Sequence, residues 1–263
     1  MTRFLDLHRP GQPLLLPNPW DVGSARILAS LGFQALATTS AGFAATLGRR
    51  DMSVTRDEAL AHAADVAAAV GIPVSADLEN CFADDPAGVA ETVRRARETG
   101  LAGCSVEDAT GRDVDPIYDA GLAAERVAAA VEAAGPDFVI TARAENFLHG
   151  RPDLDDTLDR LLRFQDAGAH VLYAPALATV EQISTVVGAV ARPVNVLAFP
   201  GVPPVAELAE LGVARVSVGG AFAFAAYGAM VDAARELLDS GTYGYAADTR
   251  VGRDAAVAAF SVE

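Results

Sequence analysis

Eight short apolar runs alternate along the chain with longer alanine-rich segments, and this alternation is the strongest constraint on its fold. The runs read PLLLPN, QALATTS, IPVSADLE, GCSVEDA, FVITARAE, VLYAPA, PVNVLAF and RVSVGG. Strands that alternate with helices pair in parallel, and an open sheet of eight strands would be unusually wide for a chain of 263 residues. The pattern therefore predicts an α/β fold of the (β/α)8 TIM-barrel type, forming a single domain over residues 1–263.

The segments between the runs have the spacing of amphipathic helices. Helices are predicted at Thr55–Val70, Pro86–Thr99, Gly121–Ala134, Leu154–Ala167, Val180–Val190 and Pro204–Leu211. A last segment, Ala221–Leu238, is apolar over much of its surface and needs a partner that covers it. Packing as the barrel's own eighth helix would supply that cover.

The composition excludes several classes of function. The net charge is −15, and an acidic surface gains nothing by binding another polyanion, so we expect neither nucleic acid nor a membrane surface as a partner. The 20 positions that are lysine or arginine are all arginine, which excludes Schiff-base aldolases, pyridoxal enzymes and P-loop phosphate sites. The two cysteines have no CxxC spacing and the first residues contain no signal-like apolar run, which favours a cytoplasmic location.

Polar side chains gather where four of the predicted strands end. Alternate residues of a strand share a face, so the apolar residues should face the helices and the others the barrel interior. The residues predicted to face inward are Ser75, Asp77, Glu79, Ser105, Glu107, Thr141, Arg143, Glu145 and Asn195. Four carboxylates against one guanidinium leave a surplus of about three negative charges, which raises pKa values or recruits a cation. Ligands that are all oxygen suit Mg²⁺, with Mn²⁺ as the alternative.

The motifs TTSAGFAATLGRRD, SADLEN, SVEDA, TARAE and AGAHVL occur in this order between about Asn18 and Gly220. Together they resemble the phosphoenolpyruvate mutase/isocitrate lyase superfamily. The resemblance implies a Mg²⁺-dependent enzyme that acts on a small 2-oxo carboxylic acid through its enolate, and that cleaves or forms a carbon-carbon or carbon-phosphorus bond. It also implies that the Ala221–Leu238 helix is exchanged between subunits, and we favour such a homo-oligomer, a dimer or a tetramer, over the monomeric alternative.

The same resemblance implies a metal site. Asp77 would be the direct metal ligand. Asp51, Glu79 and Glu107 would act largely through bound waters, as is usual for Mg²⁺, which dehydrates reluctantly.

The substrate site follows from the same comparison. The backbone amides and hydroxyl of Ser40, Ala41 and Gly42 would hold the substrate carboxylate, with Thr39 as the alternative source of the hydroxyl. Arg143 would bind the carboxylate or the oxo oxygen, and Asn195 would contact the far substituent. The catalytic set implied in this way is Ser40, Asp51, Glu107 and Arg143.

The loop after the fourth strand departs from the superfamily. Lyases carry Lys-Lys-Cys-Gly-His there, whose cysteine exchanges a proton with the product, whereas this chain reads EDATGRDVDPIYDAG. In addition, Cys81-Phe82-Ala83 replaces the usual Gly-Tyr-Gly or Gly-Phe-Gly, and Pro175 stands where the lyases carry a glutamate. These departures favour an oxaloacetate-like or phosphonopyruvate-like substrate. They leave two alternatives: a 2-methylisocitrate lyase-type enzyme with His149, Tyr118 or a water as proton donor, and a non-catalytic protein that binds 2-oxo acids.

Overall fold

The computed structural model describes residues 3–260, and the strands in that range follow the predicted runs one for one. They are β1 (Leu14–Leu16), β2 (Leu36–Ala37), β3 (Val74–Asp77), β4 (Gly103–Glu107), β5 (Val139–Arg143), β6 (Val171–Tyr173), β7 (Val194–Leu197) and β8 (Arg215–Ser217). Neighbours pair in parallel in the order β1-β8-β7-β6-β5-β4-β3-β2. The amide of Ala37 donates to the carbonyl of Pro17 at 3.1 Å and joins β2 to the end of β1, so the predicted TIM barrel is confirmed.

Helices connect the strands and cover the outside of the barrel. They are α1 (Val22–Ser30), α2 (Ser40–Thr46), α3 (Arg56–Ala68), α4 (Pro86–Arg97), α5 (Ala120–Ala134), α6 (Leu154–Asp166), α7 (Val180–Ala189), α8 (Val205–Glu210), α9 (Ala221–Ser240) and α10 (Ala246–Phe260). Each predicted helix is present with its ends within two residues of the expected positions. The sequence patterns missed α1, α2 and α10.

Side chains at the helix starts explain several of these boundaries. Thr55 accepts a hydrogen bond from the amide of Glu58, whose carboxylate bonds back to the Thr55 amide, and this capping box starts α3. Asp85 accepts from Gly88 and precedes a proline that occupies the first turn of α4. These short-range signals lie in the sequence itself, which is why the helix starts could be predicted.

Three apolar cores stabilise the barrel. Two lie between the sheet and the helices, one on each side of the molecule. The third fills the lower interior, where Phe4 of the 3₁₀ turn Phe4–Leu7 packs with Leu14, Val139 and Val171 at the start of the strands. Because apolar side chains close the amino-terminal end, the polar groups of the barrel interior face the carboxyl-terminal end.

α9 exposes most of its apolar residues. Of its twenty residues, all within the described chain, only Ala223 is buried, while Phe224 is 53% and Leu238 83% exposed. Among the helices of residues 3–260, none combines the length and apolar character that a membrane crossing requires. An apolar surface of this kind on a globular protein is typical of an interface.

We expect α9 to be covered by a second copy of the chain, as the resemblance implied. The protein should therefore sediment as a dimer or a tetramer, and Phe224→Glu combined with Met230→Glu should produce monomers. Analytical ultracentrifugation over a hundredfold range of concentration, with the surface variant Arg163→Glu as control, checks this. A wild-type protein that stays monomeric throughout would contradict it.

Candidate active site

A cavity of about 290 Å³ opens at the carboxyl-terminal ends of the strands. Seven of the predicted site residues line it, and they are Thr39, Ser40, Ala41, Asp51, Asp77, Glu107 and Arg143. Three predicted residues, Gly42, Glu79 and Asn195, do not line it. The volume suits a small organic acid rather than a large cofactor.

Arg143 lies at the centre of the carboxylates. Its Nη1 is 2.6 Å from Glu107 Oε1 and 3.2 Å from Asp77 Oδ1, and its Nε is 2.6 Å from Glu145 Oε1. The pairing of β4 with β5 explains the first contact, since Glu107 and Arg143 are register partners. Three carboxylates on one guanidinium form a dense, directional charge cluster at the end of three adjacent strands.

One guanidinium cannot neutralise all the carboxylates around it. Burial raises the pKa of both Glu107 and Glu145 above the ordinary value, although Arg143 opposes the rise. Burial and the charge of Asp77 also raise the pKa of Asp51. The cluster therefore favours either a bound proton or an additional cation.

Glu79 is placed differently from the prediction. The strand ends at Asp77, and Glu79 has a left-handed backbone with φ of 52°, so alternation along the strand no longer decides where its side chain points. The residue is buried beside the cavity, near Met52 and Asn80. Burial and then the charges of Asp77 and Asp51 raise the pKa of Glu79 to about 8.

The carboxylates have the chemistry of a hard-cation site without a closed set of ligands. Among the described residues, no group of three histidine, cysteine, aspartate or glutamate side chains is arranged to hold a metal ion directly. A cation that keeps several waters needs only one or two direct carboxylates, and Mg²⁺ is such a cation. The oxygen-only donors and the uncompensated charge around Asp77 therefore fit a hydrated divalent ion.

The start of α2 forms the side of the cavity next to Asp77. The amide and the hydroxyl of Ser40 each donate to Asp77 Oδ2 at 3.1 Å. Thr39 Oγ1 accepts from the Gly42 amide at 3.2 Å and caps the helix. Asp77 is thus held by the segment that was predicted to bind the substrate carboxylate.

Gly42 leaves no space for a side chain. A Cβ there would lie 2.5 Å from Cγ2 of Thr39 and 3.1 Å from Cβ of Trp20. We expect Gly42→Ala to lower the free energy of unfolding by about 1–3 kcal/mol, because the cap must shift to make room. Urea denaturation checks this, and Gly188→Ala is the matched control in a helix where a Cβ meets nothing within 4 Å. Equal losses in the free energy of unfolding of Gly42→Ala and Gly188→Ala would contradict the steric explanation.

Asn195 faces inward as predicted but lies in a network below the cavity. Its Nδ2 donates to Ser217 Oγ at 2.9 Å, and its Oδ1 accepts from Arg215 Nε at 2.8 Å. Arg215 also donates to Thr141 Oγ1 at 3.1 Å and contacts Nε2 of His8 at 3.2 Å. Asn195 precedes the end of β7 by two residues, which explains its depth.

His8 is neutral in this network. Burial, and then the neighbouring Arg215 charge, lower its pKa to about 3, and Nδ1 bonds to the carbonyl of Phe4 at 3.1 Å. The unfolded chain takes up a proton near pH 6.5 and the folded chain does not, so stability is lost as pH falls from about 6.5 toward 3.

We expect His8→Gln to flatten this dependence by up to about 1.4 kcal/mol per pH unit between pH 5 and 6. The free energy of unfolding from urea titrations at pH 5, 6 and 7 measures the slope for both proteins. The other histidines titrate in both proteins and cancel in the comparison. If the free energy of unfolding changed with pH equally in both proteins, His8 would not be the group that causes the loss of stability at low pH.

The loop after β4 is tied to the loop after β3. The hydroxyl of Tyr118 donates to Asp84 Oδ1, and Arg112 Nη1 is 3.0 Å from Asp84 Oδ2. The Tyr118 ring also lies 4.1 Å from the guanidinium carbon of Arg126. Tyr118 is buried away from the cavity, whereas His149 lines it.

The lining residues that were not singled out from the sequence include Tyr173, Arg215 and Ser217. Tyr173 ends β6, and Arg143 lies over its ring at 4.9 Å from the centroid. The signal that could have found all three is their position in β6 and β8, since both strands contribute inward residues by the same alternation.

The comparisons with known proteins agree with this geometry. Residues 4–238 match the family model described as phosphoenolpyruvate phosphomutase. A crystal structure from Burkholderia cenocepacia J2315, described as a lyase/mutase, superposes with a TM-score of 0.93 and 53% identity, over 96% of this chain and 93% of that one.

More distant relatives have named activities. The 2-methylisocitrate lyase of Escherichia coli K12 is 28% identical over 254 residues, covering 89% of this chain and 84% of the relative. Oxaloacetate acetylhydrolase in complex with the product oxalate has a TM-score of 0.83 and 26% identity, over 92% of this chain and 88% of that one. This chain belongs to the phosphoenolpyruvate phosphomutase family, within the phosphoenolpyruvate mutase/isocitrate lyase superfamily.

Proposed function

We propose that this protein is a Mg²⁺-dependent enzyme that converts a small 2-oxo acid through its enolate, by cleaving or forming a carbon-carbon or carbon-phosphorus bond. The observation that carries the proposal is the cluster of Asp77, Glu107 and Arg143 at the end of three neighbouring strands, around a cavity of about 290 Å³. Oxaloacetate-like and phosphonopyruvate-like acids are small enough for this cavity, and the bound cation together with Arg143 would compensate their negative charge. The relatives named above, a 2-methylisocitrate lyase and an oxaloacetate acetylhydrolase, support the class of reaction.

Asp77 would hold the cation directly, and Asp51, Glu79 and Glu107 would hold its waters. When bound, the cation supplies positive charge beside the oxo and carboxylate oxygens of the substrate. The rise in the pKa of Glu79 to about 8, caused by burial and the neighbouring acids, supports a site that lacks positive charge. Mn²⁺ has the same preference for oxygen ligands and is the alternative ion.

The protein's own groups would orient the acid and stabilise its enolate. The start of α2 would bind the substrate carboxylate, with the Ser40 amide and hydroxyl turning to it from Asp77 Oδ2, which they contact in the structure. Arg143 would donate to the oxygen on which charge develops, and its position is fixed before the reaction by Glu107 and Glu145. Asn195 is bonded on both sides of its amide, so we assign it to the support of Ser217 and Arg215 rather than to the substrate.

Two measurements test the function together. Calorimetry with oxalate, a planar mimic of the enolate, should show binding that requires Mg²⁺. Product analysis by ¹H and ³¹P NMR with oxaloacetate, phosphonopyruvate and 2-methylisocitrate should show turnover of at least one of them. Tight oxalate binding with no turnover of any acid would favour the non-catalytic alternative, and no Mg²⁺-dependent binding would contradict both.

The lyase alternative keeps support from the similarity to 2-methylisocitrate lyase over most of the chain. It requires a proton donor other than the loop cysteine. Of the side chains suggested from the sequence, Tyr118 donates its hydroxyl to Asp84, and only His149 lines the cavity among the described residues. Turnover of 2-methylisocitrate that survives His149→Ala and Tyr118→Phe would require a different donor.

A further inference from the structure

We propose that Tyr173 is the proton donor of this active site and delivers its hydroxyl proton to the carbon of the substrate-derived enolate. The inference rests on the proposed function. A reaction that leaves an enolate must place a proton on its carbon before a stable acid can leave. The loop that carries the donor cysteine in the superfamily's lyases has no cysteine, histidine or lysine here, and its Tyr118 donates to Asp84 outside the cavity, so the inference places the donor on another element.

Tyr173 is buried and faces the cavity. Tyr173 is the last residue of β6 and is 7% exposed. It lines the cavity together with Arg143 and Ser217. The guanidinium carbon of Arg143 lies 4.9 Å from the ring centroid. The phenol therefore reaches the same space as the guanidinium that would bind the enolate oxygen.

The position of β6 in the barrel supports the direction of transfer. In the strand order, β6 is separated from β2 by three strands on either side, so the two lie opposite each other. The start of α2, which follows β2, would hold the substrate carboxylate. The carbon skeleton of a bound acid would then extend across the cavity toward Tyr173.

The hydrogen bonds behind the phenol orient its proton. Arg215 donates to Asn195, and Asn195 donates to Ser217 Oγ at 2.9 Å, so the Ser217 hydroxyl keeps its own proton available for the neighbouring Tyr173 oxygen. In the proposed arrangement the phenol oxygen accepts this proton, which leaves the phenol's own proton free to point into the cavity. Burial raises the pKa of the Tyr173 phenol to about 12, although the Arg143 charge and Ser217 oppose the rise, so Tyr173 stays protonated near neutral pH.

The step balances without another reactant. The electron pair of the enolate C=C bond forms the new C–H bond, and the pair of the broken O–H bond stays on the phenolate oxygen. Arg143 lies beside this oxygen's ring and opposes the cost of its charge. Water that enters when the product leaves returns the proton.

Exchange of the methyl protons of pyruvate in D₂O isolates this step. ¹H NMR with Mg²⁺ should show exchange by the wild-type protein and a rate at least about 100-fold lower for Tyr173→Phe. Oxalate affinity should change less than about threefold, because the ring and Arg143 remain in place. Tyr243→Phe is the matched control, since this tyrosine is 66% exposed and does not line the cavity, and it should exchange like the wild type.

The outcomes separate this inference from the proposed function. Exchange by Tyr173→Phe at the wild-type rate, or its loss in His149→Ala instead, overturns the inference and leaves the function standing. A wild-type protein that binds oxalate but exchanges no protons also overturns it. No Mg²⁺-dependent oxalate binding overturns the proposed function and the inference with it. If Tyr173→Phe fails to fold, Ser217→Ala decides: about tenfold slower exchange supports the inference, and an unchanged rate overturns it.

Discussion

Arg143→Met is expected to destabilise the protein by about 3–5 kcal/mol at pH 7 and to abolish turnover. The guanidinium is the positive partner of Asp77, Glu107 and Glu145, at 2.6–3.2 Å. Methionine fills a similar volume but leaves these buried carboxylates without a counter-charge. The free energy of unfolding from urea titration, together with the NMR product assay, measures both effects.

The pH dependence separates this charge effect from a loss of packing. Burial raises the pKa of Glu107 and Glu145 in the folded state, so their protonation stabilises the fold as pH falls toward the unfolded values. Without Arg143 the pKa values of Glu107 and Glu145 rise further. The difference in the free energy of unfolding between the variant and the wild type should therefore become smaller as pH falls from 8 to 5. Arg163→Met removes an exposed ion pair with Asp159 and should cost less than about 1 kcal/mol. A loss in the free energy of unfolding of Arg143→Met that does not change with pH would contradict the charge explanation.

Asp77→Asn is expected to remove Mg²⁺-dependent oxalate binding and to lower turnover by about 10³-fold or more. The amide has the shape of the carboxylate, and its oxygen can still accept from the Ser40 amide and hydroxyl, so the start of α2 should stay in place. The charge and one metal-binding oxygen are lost, together with the ion pair between Asp77 and Arg143, which keeps its contacts with Glu107 and Glu145. Calorimetry with Mg²⁺ and oxalate and the NMR product assay measure the outcome.

The stability of this variant provides its internal control. Asp77 is one of several crowded carboxylates, and after burial its charge is the next cause of the raised pKa of both Asp51 and Glu79. Removing that charge should leave the metal-free protein as stable as the wild type, within about 1 kcal/mol. Asp159→Asn, on the exposed surface of α6, should change neither binding nor turnover. Normal oxalate binding by Asp77→Asn would place the metal elsewhere.

The strands and most helices could be predicted because their signals are local. Alternation along β5 puts Ile140 and Ala142 in the outer cores and Thr141 and Arg143 inside, as expected from the sequence. The missed α2 begins with Ser40, Ala41 and Gly42, small residues that are also typical of a turn.

Two site residues show where such reasoning stops. Glu79 was expected on the strand face of Asp77, but the chain turns after Leu78 with a left-handed residue. Asn195 faces inward as expected, yet its depth depends on where β7 ends relative to its neighbours. Neither the end of a strand nor its height in the barrel is encoded in the residue itself, because both arise from pairing between strands.

The amino-acid pattern alone determined the barrel, its inward face and the surplus of acids at one end, since strand alternation and charge are properties of neighbouring residues. Only the folded chain decided that Arg143 contacts three carboxylates, that Glu79 lies beside the cavity without lining it, and that Tyr173 shares the cavity with Arg143. The reason is physical: the ends of β3, β4, β5 and β6 are far apart in sequence and are brought together by parallel pairing. Distances between side chains from different strands depend on register and shear, which no single segment carries.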